Sequence, residues 1–220
     1  MNKQVMVIGL GQFGMSLART LASRGVEVLA VDDDQARVEV AARHVLAALC
    51  LDATNEQDLA QTTPDQRDVC VCAIGTEARE GSIICTALLR QMGAPHIVAR
   101  AADDLHERIL RLVGAHEVVN PEQAYGERLA TRLLYTGVID EVPLGSDLVI
   151  TELRCPSAFA GRSLVQLELP RRFRVTVVAV QRPGLERAAT PSPHEPLAGG
   201  DVLVIVAPPG AVARMLERVS

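Results

Sequence analysis

Short apolar runs and stretches of helical spacing alternate along the first two thirds of the chain. The first run, Val5-Met6-Val7-Ile8, is continuously apolar, as a strand covered on both faces requires. Behind it Leu17, Ala18, Leu21 and Ala22 recur three and four residues apart, which is the spacing of one helix face. The same reading gives further strands at 26–31, 45–51, 68–74, 96–99 and 116–119. Helices fall between them at 35–43, 56–61, 77–92 and 103–113. A helix after every strand predicts parallel strands joined by right-handed crossovers. The fold class is therefore α/β, a Rossmann-like doubly wound parallel sheet.

The rhythm then changes. A further helix is predicted over 121–136, with Pro121 at its start, where a missing N–H costs nothing. Its apolar residues Ala124, Leu129, Leu133 and Leu134 occupy more than one side, so it reads as a connector that docks on the first domain and swaps onto a neighbour. A boundary is expected over 137–145. Strands at 148–153, 175–180 and 201–207, a helical turn at 163–167 and a closing helix at 211–218 make a small α+β module. The predicted domains are thus 1–137, including the connector, and 138–220. A module this small is expected to pair with a copy of itself.

The stretch with chemistry in it is Gly9-Leu10-Gly11-Gln12-Phe13-Gly14, directly after the first strand. Gly9 permits a tight turn, Gly11 lets a diphosphate approach the backbone, and Gly14 lets the following helix pack closely. Amide groups at the start of that helix favour an anion. The second strand ends in Asp32-Asp33-Asp34. Asp32, with Asp33 beside it, stands where a ribose diol is gripped in such folds, and Asp33 or Asp34 is expected to cap the next helix. No Arg directly follows the strand, which argues against a ribose 2′-phosphate. Other predicted strand ends add Asp52-Ala53-Thr54 near an adenine, Ala73-Ile74-Gly75 near the ribose, and Arg100 near phosphates. Their plainer readings are a helix cap, close packing and a surface arginine.

Composition narrows the field. Apolar residues make up 48% of the chain and support a core, while aromatic residues at 2% leave it aliphatic. A net charge of −5 gives no reason to expect nucleic acid. No apolar run approaches the ~20 residues of a membrane span, and a strand begins almost at once, so a cytoplasmic protein is expected. Cys50, Cys70, Cys72 and Cys85 read as small apolar core residues, and Cys70-x-Cys72 lacks the second ligand pair of a zinc site.

Taken together, these residues resemble the cytosolic regulatory subunits of bacterial potassium uptake systems of the Ktr and Trk type. These pair an RCK N-terminal domain with an RCK C-terminal domain. The resemblance rests on the glycine turn, Ala30-Val31-Asp32, Asp52-Ala53-Thr54, Ala73-Ile74-Gly75, Gly114-Ala115 leading to Asn120-Pro121-Glu122, and Pro196 to Val204. It implies a nucleotide sensor with no catalytic residues, built as homodimers in a homo-octameric ring at the inner face of the membrane. The implied partner is a membrane-embedded potassium-translocating subunit. ATP or ADP is the implied ligand, with NAD or NADH as second choice. Glu122 is implied to help hold a divalent cation, magnesium or calcium, at the dimer interface. Gln12 departs from an arginine common in Ktr proteins, which raises the standing of NAD. Pro170 and Thr176 depart from the Arg and Asn of relatives that bind cyclic di-AMP, so the resemblance does not extend to that ligand.

Two other classes remain open from the residues alone. A small NAD-dependent oxidoreductase needs a proton donor beside the cofactor. His44, His96 and His116 fall at the wrong strand ends, His106 is expected on an exposed helix face, and His194 lies in a proline-rich loop. Tyr125 and Tyr135 lie on the connector, and neither is followed four residues on by Lys. The other class is a redox or nucleotide sensor with a different target.

Overall fold

Val5, Met6, Val7 and Ile8 are all buried because their strand, β1 (Gln4–Ile8), lies inside a six-stranded sheet. The computed structural model describes residues 2–219 except 186. The other strands of this sheet are β2 (Glu27–Asp32), β3 (Ala47–Cys50), β4 (Val69–Cys72), β5 (Ile97–Arg100) and β6 (Glu117–Val119). Every pairing is parallel, in the order β3-β2-β1-β4-β5-β6. The order reverses between β1 and β4, which opens a crevice at the carboxyl ends of those two strands.

Helices cover both faces, as the strand pattern required. Val5, Val7, Val28 and Ala30 pack with Ala18 of α1 (Gln12–Ser23) and with Val38 and Ala41 of α2 (Gln35–Ala42). Met6, Ile8, Leu29 and Val31 pack on the other side. Their partners are Leu59 of α3 (Glu56–Ala60), Cys85 and Leu89 of α4 (Arg79–Gln91) and Leu110 of α5 (Asp104–Leu112). Alternate residues of each strand thus feed alternate layers. Cys70, Cys72 and Cys85 are core residues, and burial pushes the Cys70 thiol up to about 12, which keeps it protonated and inert. Cys50 departs from the expectation. It is exposed, because β3 is an edge strand.

The glycine turn fixes how closely α1 sits on the sheet. Gly9 has φ +91°, and a Cβ there would lie 2.8 Å from the Ile74 nitrogen. A Cβ on Gly14 would lie 1.9 Å from the Gly9 carbonyl oxygen. Only hydrogen fits at either place.

The first unit ends at Pro121 and the second begins at Glu122. The sequence reading put this division after 137. The difference lies in α6 (Pro121–Leu134), whose later half is tied to the second unit: Arg128 pairs with Asp140 and Tyr135 packs on the second core. The Arg128 guanidinium holds the Asp140 carboxyl below its ordinary range.

The second unit is an antiparallel sheet of β7 (Val138–Leu144), β8 (Leu148–Arg154), β9 (Thr176–Gln181) and β10 (Val202–Ala207), in the order β7-β8-β10-β9. Strand β7 occupies residues expected to be a linker. A register shift between Val138 and Asp140 breaks its apolar alternation, and Pro143 is tolerated because β7 lies at the edge. Helices α7 (Leu164–Leu167), α8 (Leu169–Phe173) and α9 (Ala211–Val219) complete the unit, α8 being a turn of helix the sequence reading did not separate. Leu153, Leu203, Ile205, Leu167, Leu169 and Met215 are among the residues that close its core. Asp201 is fully buried, accepts the Ala198 N–H and lies 3.6 Å from Arg182, which also pairs with Glu195. These bonds fold the 183–200 loop back onto β10.

Gly14→Ala is expected to lower unfolding stability by about 3 kcal/mol or more, because the new methyl meets backbone and not a movable side chain. Thermal denaturation followed by circular dichroism measures it.

Candidate functional site

The carboxyl ends of β1, β2, β4 and β5 bring most of the sequence-predicted site residues to one rim. Gly11 is the N-cap of α1, no side chain caps that helix, and its first turn holds no acidic residue. Its leading amides are therefore left to water or to an anion. Apart from Gly11 itself and its neighbours along the chain, no described residue places an atom within 4 Å of where a Cβ of Gly11 would stand, so the backbone here is open to close approach. Gln12 is exposed and Phe13 half-buried on the first turn.

Asp32 ties this turn to the next strand. It is 5% exposed. Its Oδ2 accepts the Leu10 N–H at 2.5 Å and its Oδ1 accepts the Asp34 N–H at 3.0 Å. Two backbone donors thus orient a carboxylate beside the glycine turn, the geometry that presents acceptors to a sugar diol. Asp34 caps α2 by accepting the Ala36 N–H, which settles the choice between Asp33 and Asp34. Asp33 is exposed beside the site, and its carbonyl accepts the Cys50 thiol.

Sequence reasoning missed Arg37. It lies on the first turn of α2, with Nη1 3.6 Å from Asp32 Oδ1 and Nε 3.5 Å from Asp34 Oδ2. No Arg directly follows the strand, but one turn of helix brings this one to the Asp32 carboxylate. The signal was an arginine at three residues from a helix-capping Asp.

The end of β4 packs straight against the glycine turn. The Gly9 contact with Ile74 is one part, and a Cβ on Gly14 would also lie 3.2 Å from the Ala73 Cβ. Ala73 is buried; Ile74 and Gly75 are half-buried. Arg100, the last residue of β5, reaches back across this end. Its guanidinium carbon lies 5.8 Å from the centre of the Phe13 ring, and its Nη1 stands 3.8 Å from where a Cβ of Gly75 would be. Packing between Arg100 and Phe13 combines a cation with an aromatic ring at the mouth of the crevice.

Asp52, Ala53 and Thr54 form a closed turn after β3. Asp52 Oδ1 accepts both the Thr54 hydroxyl, at 2.6 Å, and the Thr54 N–H, at 2.8 Å. The hydroxyl bond, then the amide bond, hold the Asp52 carboxyl below its ordinary range. Ala53 is buried, and the Thr54 methyl lies 3.4 Å from where a Cβ of Gly81 would stand, so this turn borders α4.

One residue falls outside the pattern the sequence suggested. His106 is 3% exposed, not on an open helix face. Its Nε2 lies 2.8 Å from Ser82 Oγ, and its Nδ1 accepts the Ala102 N–H at 3.2 Å. Glu122 is exposed in the first turn of α6, and among the described residues no group of three or more His, Cys, Asp or Glu is arranged to hold a metal. A cleft of about 410 Å³ lined by Arg19, Thr20, Ala22, Ser23 and His44 lies at the far end of α1 from the glycine turn, so it is separate from this crevice. No helix among the described residues is long and apolar enough to cross a membrane.

Comparison with known proteins bears on the family and the fold. Residues 5–121 match the TrkA-N domain family and residues 148–220 match the TrkA-C domain family. The chain is 32% identical to the Ktr system potassium uptake protein C of Bacillus subtilis (strain 168) over 219 residues, covering 100% of this chain and 98% of that protein. It is 33% identical to the Ktr system potassium uptake protein A of Vibrio alginolyticus over 216 residues, covering 98% and 97%. Among solved structures the GsuK channel is similar over 100% of this chain and 40% of that one, with TM-score 0.72 and 19% identity. A second structure of it, described as bound to NAD, gives TM-score 0.67 at 18% identity over 100% and 39%. From the glycine turn to the last strand, the chain belongs to the TrkA-N/TrkA-C family that includes the Ktr system potassium uptake proteins.

Proposed function

We propose that the chain is the nucleotide-sensing regulatory subunit of a potassium uptake system, acting on a membrane-embedded potassium-translocating partner from the cytoplasmic side. The observation that carries this reading is the uncapped start of α1 beside the Asp32 carboxylate, joined to full-length similarity to Ktr proteins. The crevice suits an adenosine diphosphate unit. Amides of the glycine turn take the diphosphate, Asp32 takes the ribose hydroxyls, and Arg100 adds positive charge at the mouth. ATP or ADP is the ligand, with NAD or NADH next. Gln12 gives no charge to a third phosphate, and Arg37 beside Asp32 is shared with Asp34, so the sugar end stays net acidic and favours a free 2′-hydroxyl.

The regulatory reading is better supported than the oxidoreductase one. The crevice-side histidine, His106, has both ring nitrogens engaged within the protein and offers a substrate no proton. Ligand control needs two shapes of an assembly with different affinity for the nucleotide. Helix α6 has no buried residue, and Tyr125, Leu133 and Leu134 on it are 59%, 78% and 73% exposed. A second copy of the chain covers this helix, making the homodimer from which a homo-octameric ring is built. A divalent cation at Glu122 belongs to the same assembly. A hard cation takes about six oxygens or more, so one carboxylate serves only with a partner copy or nucleotide phosphates beside it.

ATP, ADP, NAD and NADH are to be compared by thermal shift, with and without magnesium or calcium. At least one is expected to stabilise the protein, by about 2.7 kcal/mol at a hundredfold excess over its Kd. Silence from all four overturns the reading. Asp32→Asn, which puts an NH₂ where a backbone N–H or a ribose hydroxyl now donates, is expected to remove most of that shift. Gly11→Ala is expected to leave the free protein within about 0.5 kcal/mol of wild type. Its methyl enters the space of the diphosphate, so affinity is expected to fall about tenfold or more.

Light scattering at micromolar concentration is expected to give eight times the mass of one chain. Leu133→Glu with Leu134→Glu is expected to reduce it to smaller species. A wild-type monomer counts against the ring.

A further inference from the structure

The loop after β5 is joined to the first turns of α4 by a single buried imidazole. His106 sits in the first turn of α5. Its Nδ1 accepts the N–H of Ala102, two residues past Arg100, and its Nε2 meets Ser82 Oγ on α4. The Ser82 hydroxyl in turn donates to the Arg79 carbonyl at 2.9 Å. That donation leaves the hydroxyl oxygen as acceptor, so the network assigns the single ring proton to Nε2 and a lone pair to Nδ1. Every polar atom of this ring is matched in the neutral form and in one tautomer.

A second proton cannot be placed without breaking the set. It would go on Nδ1, and Nδ1–H would then face the Ala102 N–H, donor against donor. The charged groups around the ring do little to repay that loss. Arg79, from α4, and Asp103, from the turn before α5, oppose each other, and they are already paired at 2.6 Å. Asp103 also caps α5 through the N–H of His106 itself, at 2.9 Å. On the far side of Ser82, its carbonyl takes up the Thr86 hydroxyl and the Cys72 thiol, so both of those groups are turned to the backbone and not to the ring. Burial first, then Arg79, hold the imidazole below its ordinary range, with Asp103 pulling the other way.

We propose that His106 is a proton-linked positioning residue for the nucleotide crevice: neutral, it pins the Ala102 turn that follows Arg100; protonated, it releases that turn and weakens nucleotide binding. This rests on the reading of the crevice as a nucleotide site. Arg100 is the crevice residue nearest to that turn: it ends β5, where the Ala101 N–H stays bonded to the Val119 carbonyl at 2.8 Å, and its guanidinium packs over Phe13 of the glycine turn. By linkage the coupling is reciprocal, so bound nucleotide holds His106 neutral and expels its proton. Affinity is therefore full above the ordinary histidine range and is lost as pH falls through and below it.

NAD is the probe of choice, since neither its diphosphate nor its nicotinamide titrates near neutrality and ligand ionisation stays out of the profile. Its Kd is to be measured by calorimetry from about pH 8 to about pH 5, in the intact assembly. In wild type the Kd is expected to be flat at the upper end and then to rise by up to about tenfold per pH unit, the limit for one proton. His106→Asn puts Oδ1 near the place of Nδ1, keeps an acceptor for Ala102 and cannot titrate. It is expected to bind NAD with a flat profile, while His106→Ala is expected to bind weakly at every pH. Parallel profiles in wild type and His106→Asn overturn the proposal.

A second measurement needs no variant and no ligand. The Ala102 amide resonance is expected to titrate together with the His106 ring, and an amide that ignores the ring overturns the proposal. NAD and ADP that bind at no pH would instead strike the nucleotide reading and, with it, the ligand half of this one.

Discussion

Helix α1 can lie against the sheet only because two backbones touch where side chains would normally stand. The Gly9 carbonyl occupies the place of a Gly14 Cβ, and the Ile74 amide crowds the place of a Gly9 Cβ. That contact sets the start of the helix next to the ends of β1 and β4, and everything at the crevice is measured from there. Asp32 reaches the Leu10 amide only because the turn is this tight. Arg100 finds Phe13 only because α1 begins where it does. The crevice is thus a by-product of close packing, and the same absent side chains that let the elements meet leave backbone donors uncovered.

The arrangement also divides labour between rigid and adjustable parts. The central strands β1, β2 and β4 form a fixed floor, covered by packed side chains on both faces. The start of α4 and the loop after β5 form the wall, held by side-chain bonds through Ser82, His106, Asp103 and Arg79. Bonds of that kind are weaker and more responsive to conditions than an aliphatic core. A protein meant to report on a bound ligand needs a part that changes while the rest stays put, and here the two are built from different chemistry.

Much of this was legible in the sequence, for reasons that differ by element. Val5–Ile8 and Val28–Val31 announce themselves because a strand buried on both faces can contain nothing else. The glycine turn is legible because its spacing is dictated by sterics. Asp32 is legible because it is the first carboxylate past its strand. Strand β7 was hidden by a register shift that spoils its alternation and by Pro143, which reads as a breaker away from an edge. Helix α6 was visible as a helix, yet its assignment depends on Arg128 meeting Asp140, a pairing between residues that share no pattern. His106 lies on a helix of ordinary amphipathic spacing, and its burial depends on a serine 24 residues earlier. Arg37 needed one turn of helix in three dimensions to arrive at Asp32. Periodicity carries elements and floors; it does not carry side-chain bonds between them.

The near absence of aromatic residues has an experimental side. The chain has no Trp, and of its three Phe and two Tyr only Phe13 precedes residue 121. Phe13 is the residue under Arg100, at the mouth of the crevice. The whole first unit is therefore dark at the wavelengths of indole and phenol. A lone indole introduced at that position would report from the crevice against almost no background, and adenine or nicotinamide stacking near it would be read optically with the second unit contributing only its two phenols.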